Sequence, residues 1–232
     1  MSEARFTTIL WDMDNTLLDF EYSMRKAMQV CFRAFGEVLT EEMLAGYEQI
    51  NSAWWKRLEL GQVTKQQLLN GRFVDFFAAY GLVHMDPEVF RKQFQVELGR
   101  HYSYIDHSLE VCKSLHGKVK QYVVTNGVLE TQTSKIKLAG FWELMDDVFI
   151  SEVAGYEKPR KEFFQYCLGR IAERDPDKIL IVGDSLSSDI KGGNNAGIRT
   201  CWFNPTGKKC TEELRIDYEI NSLQQIYEVI YG

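Results

Sequence analysis

Asp12 and Asp14 stand one residue apart in Trp11-Asp12-Met13-Asp14-Asn15-Thr16, and no other pair in the chain is better suited to nucleophilic or metal-assisted chemistry. Two carboxylates this close repel unless a cation or a shared proton sits between them. If the backbone stays extended, both side chains point to one side. If it turns, the Asp12 carboxylate and the Asp14 carbonyl can converge on one ion. A polar loop with Asp14-Asn15-Thr16 making a side-chain-capped turn accounts for the same run, and Asp-x-Asp alone is common.

Three later clusters have matching chemistry. Thr125-Asn126-Gly127 offers a hydroxyl, an amide and backbone N–H groups suited to phosphate or another oxyanion, although Asn-Gly is also an ordinary turn signal. Gly183-Asp184-Ser185 followed by Asp189 brings a second pair of acids. There Asp184 is a candidate ligand for a hard cation, and Asp189, about a helical turn on, can hold a water or a lysine. A serine-rich helix cap is the plainer account. Lys158 precedes Pro159, which disfavours helix and lets the ammonium be aimed into an acidic site.

The elements that must position these groups follow from the apolar pattern. Arg5–Trp11 is rich in β-branched and aromatic residues and stops at the carboxylates, so it reads as a buried strand. From residue 19 to about 103 the pattern is helical throughout. One helix ends at Gly36, and a second opens at Thr40-Glu41-Glu42 and closes at Gly61. A third runs from Thr64 to Gly81, and a fourth starts at Asp86-Pro87. Beyond it, strands over 121–125, 147–150, 178–182, 200–203 and 218–220 alternate with helices over 108–115 and 161–172 and near Gly192-Gly193. Such alternation implies an α/β, doubly wound parallel sheet with right-handed crossovers, here built from residues 1–18 and 104–232 with the helical segment 19–103 inserted. In such sheets, groups just beyond the carboxyl ends of the strands line the ligand crevice.

Composition bounds the function. The chain has 232 residues, 45% of them hydrophobic and 26% charged, which is ordinary for a globular protein with a sizeable core. A net charge of -6 argues against a nucleic-acid polymer as partner, since backbone binding needs a basic stripe. No apolar run approaches membrane-spanning length and no signal-like segment opens the chain, so a cytoplasmic protein without a membrane partner is expected. Five scattered cysteines without Cys-x-x-Cys fit a reducing compartment, and the four histidines show no zinc spacing.

Taken together, Asp12-x-Asp14-x-Thr16, Thr125-Asn126, Lys158-Pro159 and Gly183-Asp184-Ser185 with Asp189 resemble the four ordered motifs of the haloacid dehalogenase superfamily. The match spans essentially the whole chain, and the helical insert resembles the mobile cap of that superfamily. Asn15 stands where glycine is frequent, and asparagine also tolerates positive φ; Arg160 stands where an acid is common. The resemblance implies a Rossmann-like core and a phosphatase mechanism. In it Asp12 attacks phosphorus to form an aspartyl-phosphate, and Asp14 protonates the leaving alcohol and later takes a proton from water. Thr125, Asn126 and Lys158 would bind the phosphate. Mg²⁺ would be held by Asp12, the Asp14 carbonyl and Asp184, with Asp189 in support. A dehalogenase of the same superfamily displaces halide and usually lacks the second aspartate.

Within the superfamily the pattern is most similar to bacterial pyrimidine 5′-nucleotidases, which implies a nucleoside monophosphate as substrate. Phe20, Tyr22, Trp54, Trp55 and Phe73, with Arg57 and Arg72, are candidates for a stacking surface and an anion contact, although most of these aromatics are also what a helical core requires. A phosphatase of sugar phosphates or phosphoglycolate is the alternative enzyme. A Mg²⁺-binding switch phosphorylated on Asp12 is the alternative of another class, disfavoured by an acid/base at Asp14 and a cap. A nucleoside-triphosphate loop around Gly207-Lys208 is disfavoured because Trp202 stands where the motif needs glycine.

Overall fold

The computed structural model describes residues 4–211 and 213–232, so the first three residues of the expected N-terminal segment lie outside it. Among the described residues, six strands form one parallel sheet: β1 (Thr8–Trp11), β2 (Lys120–Thr125), β3 (Asp147–Ile150), β4 (Ile179–Gly183), β5 (Arg199–Phe203) and β6 (Tyr218–Ile220). Their order is β3-β2-β1-β4-β5-β6. The chain therefore builds outward from β1 in one direction through β3, then returns to the other side of β1 with β4. That reversal is the topological switch point at which such sheets bind ligands. Trp11 is level with Val123 on one neighbour and Val182 on the other, so the motifs after β1, β2 and β4 emerge side by side.

Side chains alternate across the sheet as a parallel, doubly covered sheet requires. Ile9, Trp11, Val123, Leu180 and Val182 enter one apolar layer; Leu10, Tyr122, Val124, Ile179 and Ile181 enter the other. The first layer also holds Val111, Cys112 and Leu115 of a helix over Ser108–Leu115 and Ile226, Val229 and Ile230 near the C-terminus. The second is covered by Phe163, Phe164 and Cys167 of a helix over Lys161–Leu168. The first strand is shorter than the pattern suggests. Arg5 donates its backbone N–H to Ile230 rather than to the sheet, while Phe6 stays buried in the core. The helix after Lys161 is shorter too, stopping at Gly169.

Helices are numbered in chain order: α1 (Phe20–Ala34), α2 (Glu41–Glu59), α3 (Lys65–Ala79), α4 (Pro87–Arg100), α5 (Ser108–Leu115), α6 (Leu129–Leu138), α7 (Ser151–Ala154), α8 (Lys161–Leu168), α9 (Lys191–Ala196) and α10 (Ile226–Tyr231). The chain divides into two compact units, one running to Phe20 and resuming from Tyr102 to Gly232, the other Glu21–His101. The division lies two residues inside the limits that the sequence suggests at each end. The reason is local: Asp19 N–H donates to the Ser103 carbonyl at 2.9 Å and Ile105 N–H to Leu17 at 3.1 Å, tying both linkers to the sheet unit.

Within the helical unit, α3 begins with a full capping box between Thr64 and Gln67, and α4 with Asp86 capping Glu88 and Val89 before Pro87 at its first turn. Its core is aromatic. Phe73 lies 5.4 Å from Tyr47 and 5.1 Å from both Phe90 and Phe94, centroid to centroid, within the range where edge and offset contacts are favourable. No helix among the described residues is long and apolar enough to cross a membrane.

Candidate active site

Asp12 leaves β1 with its N–H bonded to the Val182 carbonyl at 2.9 Å, so the nucleophile candidate is fixed by the sheet itself. The chain then turns tightly. Asn15 adopts φ 63°, as an asparagine can, and its side chain accepts the Phe20 N–H at 3.1 Å, capping α1. Thr16 is fully buried; its hydroxyl lies 3.3 Å from Asp12 Oδ2 and accepts the Asp184 N–H at 3.1 Å. Asp184 is held from the other side as well, its carbonyl accepting Trp202 Nε1–H at 2.9 Å.

Lys158 organises the centre. Its ammonium donates to Asp12 Oδ1 at 2.6 Å, to Asp189 Oδ1 at 2.7 Å and to the Val124 carbonyl at 2.8 Å, satisfying all three of its protons. Burial disfavours the charged lysine, yet Asp12 and Asp189 outweigh that effect and raise its pKa. Asp12 is raised well above the ordinary carboxylate value, first by burial and then by the charge of Asp189; Lys158 pulls the other way. Burial and Asp189 likewise push Asp184 up to about 7. Asp189 sits in a π-helical turn, Leu186–Ile190, and also accepts the Ser185 N–H at 3.2 Å. Gly183 makes the turn possible: a Cβ there would lie 2.3 Å from the Asp189 carboxylate.

Oxygen atoms of Asp12, Asp184 and Asp189 approach within 4.8 Å of one another. This all-oxygen, carboxylate-rich set fits a hard divalent cation; burial first, and the charge of Asp189 second, raise both Asp12 and Asp184.

Asp14 is held by groups that the apolar pattern does not reveal. Lys135 Nζ donates to Asp14 Oδ1 at 2.5 Å and Gln132 Nε2 to Oδ2 at 2.7 Å. Gln132 Nε2 also lies 2.6 Å from Thr125 Oγ1, which accepts the Gly127 N–H at 3.1 Å. Both donors lie on α6, whose Thr-Gln-Thr-Ser-Lys stretch shows no apolar stripe; the signal that was available is a Gln and a Lys three residues apart immediately after Thr125-Asn126-Gly127.

Asn126, expected as a phosphate contact, also has a structural task. Its amide donates to the Lys158 carbonyl at 2.9 Å and its Oδ1 accepts the Lys158 N–H at 2.8 Å, so both ends of the side chain brace the lysine loop. Arg160 faces outward, pairing with Glu162 at 3.1 Å and lying over Tyr156, away from the carboxylates. Phe20 is half-buried with Lys135 Nζ 5.8 Å from its ring, and Tyr22 is exposed. Trp54 packs on Gly71, donates to Asp75 at 2.8 Å and lies under the Arg57 guanidinium at 4.1 Å, so this pair is engaged within its own unit; Trp55 is half-buried. Phe73 is core. Arg72 is buried, donates to Asn51 Oδ1 at 2.7 Å and lies over Phe73 and Phe94, but its Nε and Nη2 have no hydrogen-bond partner.

Comparison with known proteins agrees with this geometry. The model of the haloacid dehalogenase-like hydrolases matches residues 6–197. YfnB of Bacillus subtilis (strain 168) is 35% identical over 226 residues, covering 97% of this chain and 96% of YfnB. Its crystal structure bound to magnesium superimposes with a TM-score of 0.92, covering 97% of this chain and 98% of that one. The pyrimidine 5′-nucleotidase PynA of Streptococcus pneumoniae is 32% identical over 223 residues, covering 96% of this chain and 94% of PynA. The pyrimidine 5′-nucleotidase YjjG of Escherichia coli is 27% identical over 222 residues, covering 96% of each. With a strand-end aspartate braced by a buried lysine, and a match that runs from β1 to the end of α9, the chain belongs to the haloacid dehalogenase-like hydrolases.

Proposed function

We propose that the chain is a Mg²⁺-dependent phosphomonoester hydrolase working through an aspartyl-phosphate on Asp12, with pyrimidine nucleoside 5′-monophosphates as substrates. The observation that carries this reading is the pairing of two differently held carboxylates. Asp12 is oriented through one oxygen by Lys158, and Asp14, two residues on, has both oxygens held by Lys135 and Gln132 beside Thr125. One acid attacks and the other handles the proton. A halide leaves without a proton, whereas an alkoxide needs one, so an acid in that position favours phosphate esters.

Asp12 Oδ2 attacks phosphorus in line with the ester oxygen, the P–O bond breaks, and Asp14 delivers a proton to the departing alcohol. Water then attacks the phosphorus of the aspartyl-phosphate while Asp14 takes its proton. Inorganic phosphate leaves and the Asp12 carboxylate is restored. Lys158 and the Thr125 hydroxyl neutralise and orient the transferred group. Asp12, the Asp14 carbonyl and Asp184, with Asp189 in support, would hold Mg²⁺, which when bound supplies further charge neutralisation.

The nucleotide assignment is supported by PynA and YjjG, both pyrimidine 5′-nucleotidases similar along nearly the whole chain. Arg72 is a candidate for recognising the leaving nucleoside: its Nε and Nη2 have no protein acceptor, although the side chain is buried beside Phe73 and Phe94 of the helical unit. Tyr22, Trp54, Trp55 and Arg57 of that unit and Phe20 are further candidates. The test is phosphate release from a panel of nucleoside monophosphates, sugar phosphates and phosphoglycolate, with Mg²⁺ and with chelator. Metal-dependent release, greatest from uridine or thymidine monophosphate and reduced at least about 10³-fold in Asp12→Asn, is expected. Preference for sugar phosphates would overturn the nucleotide assignment, and no release from any ester would overturn the phosphatase reading.

A further inference from the structure

The buried face of α6 has an unusual makeup. Its buried residues are Thr131, Gln132, Lys135 and Ile136, so the helix turns mostly polar groups inward. Lys135 has no exposed surface, and its ammonium is spent on Asp14, with the Phe20 ring beside it. A buried ion pair is weak evidence for stability, because desolvating the ammonium costs several kcal/mol and an apolar residue of similar length packs at less expense. Stability alone does not explain a lysine at this position.

The geometry gives Lys135 a more specific role. Asp14 is gripped at both oxygens, by Lys135 at 2.5 Å and by Gln132 at 2.7 Å, which fixes the plane of the carboxylate as well as its position. Gln132 makes a second contact, 2.6 Å to Thr125 Oγ1, so the turn after β1 and the end of β2 are joined through a single amide nitrogen. Gly127 admits that side chain: a Cβ there would lie 2.4 Å from the Gln132 side chain, so this glycine is required by close approach, since its φ is not among the positive ones. All of these groups belong to the sheet unit.

We infer that Lys135 and Gln132 are positioning residues that hold the Asp14 carboxylate in line with the departing oxygen and register it against the Thr125 hydroxyl. The inference rests on the phosphatase reading and sharpens it. Neither residue touches the reacting atoms; Lys135 acts through Asp14, and Gln132 through both Asp14 and the Thr125 hydroxyl. Their contribution therefore scales with how much the leaving group needs a proton, which a role in folding alone would not do.

The test is kcat/KM with Mg²⁺ for phosphate esters of graded leaving-group basicity, from p-nitrophenyl phosphate to simple alkyl phosphates and uridine monophosphate. Lys135→Met is expected to lose about 10²-fold on the alkyl esters and only a few-fold on p-nitrophenyl phosphate. Lys135→Arg should recover most of the loss, and Lys135→Met placed in an Asp14→Asn background should cost little further, because the two act as one unit. Gln132→Leu leaves the lysine in place but frees Thr125 as well as Asp14, so a loss common to all esters is expected with a further loss that grows with leaving-group basicity; that excess keeps the test decisive if Lys135→Met does not fold. Equal losses on all esters, or losses additive with Asp14→Asn, would overturn the inference while leaving the phosphatase reading intact. If the wild-type protein hydrolyses none of the esters, the phosphatase reading fails and the inference falls with it.

Discussion

Lys158 and Asp12 meet at 2.6 Å although 146 residues separate them, and the same ammonium reaches Asp189 at 2.7 Å. One cation thus keeps two buried carboxylates together. Replacing it with Met leaves both acids uncompensated, so Lys158→Met is expected to lower kcat about 10²- to 10³-fold and to cost about 3–5 kcal/mol of stability. Steady-state kinetics and urea unfolding check the two effects separately.

Asp184, raised to about 7 from an ordinary 3.8, is expected to give the proposed Mg²⁺ binding a pH dependence. Since the folded value lies above the unfolded one, folding without a cation loses stability as pH rises from about 4 through 7, and the loss is complete above 7. A divalent cation relieves the charged form only. Mg²⁺ is therefore expected to raise Tm more at pH 8 than at pH 6, and Asp184→Ala should lose most of this difference, as thermal melts with and without chelator would show.

Gly183 has no room for a methyl group. Gly183→Ala would drive a Cβ to 2.3 Å from the Asp189 carboxylate and displace the partner of Lys158. A loss of about 10²-fold in kcat is expected from the misplaced lysine, with a stability cost of about 1–3 kcal/mol. Turnover within a few-fold of wild type would show that the π-helical turn yields without disturbing Lys158.

Arg72 offers a case in which affinity and stability part. Burial lowers its pKa against the opposing effect of Tyr47, and Arg91 lowers it further. The charge is costly where it stands, so Arg72→Met is expected to leave Tm unchanged or raise it. If Arg72 recognises the substrate, the same variant raises KM for uridine monophosphate about 10-fold, the size of one lost charge-assisted hydrogen bond.

Far from the carboxylate centre, Asp217 secures the edge of the sheet. Burial pushes its carboxyl up, but the hydrogen bonds from Arg199 and Thr200 and the charge of Arg215 outweigh this and hold it below the usual value. Its contribution is present above the unfolded value of about 3.9 and lost as pH falls through the lower folded one. Asp217→Asn is expected to destabilise by about 2 kcal/mol at pH 7 in urea unfolding, with the difference from wild type shrinking below about pH 4.

The order of elements was legible because strands and helices here obey different periods and because polar groups follow the strands at once. Thr64 and Asp86 with Pro87 marked helix starts that the structure uses as caps. The motif residues were legible for the same reason, each standing at a strand end or in a loop. What stayed hidden was cooperation between segments. The Asn126 amide suits an anion equally well in isolation, and only the approach of Lys158 shows where it is used. Nothing in the apolar pattern singles out Lys135 and Gln132, because a helix that buries polar groups leaves no apolar stripe to read.

The position of β1 has a consequence for synthesis. Its neighbours are β2, which begins at Lys120, and β4, which begins at Ile179. As the chain leaves the ribosome, Thr8–Trp11 has no sheet partner until β2 has been made, more than a hundred residues later, while Glu21–His101 already carries its aromatic core. Non-local strand pairing is slow and leaves apolar edges open in the interval. The intermediate expected on the ribosome is a folded helical unit trailing an unpaired, aggregation-prone N-terminal strand, and chaperone binding should concentrate there until β4 emerges.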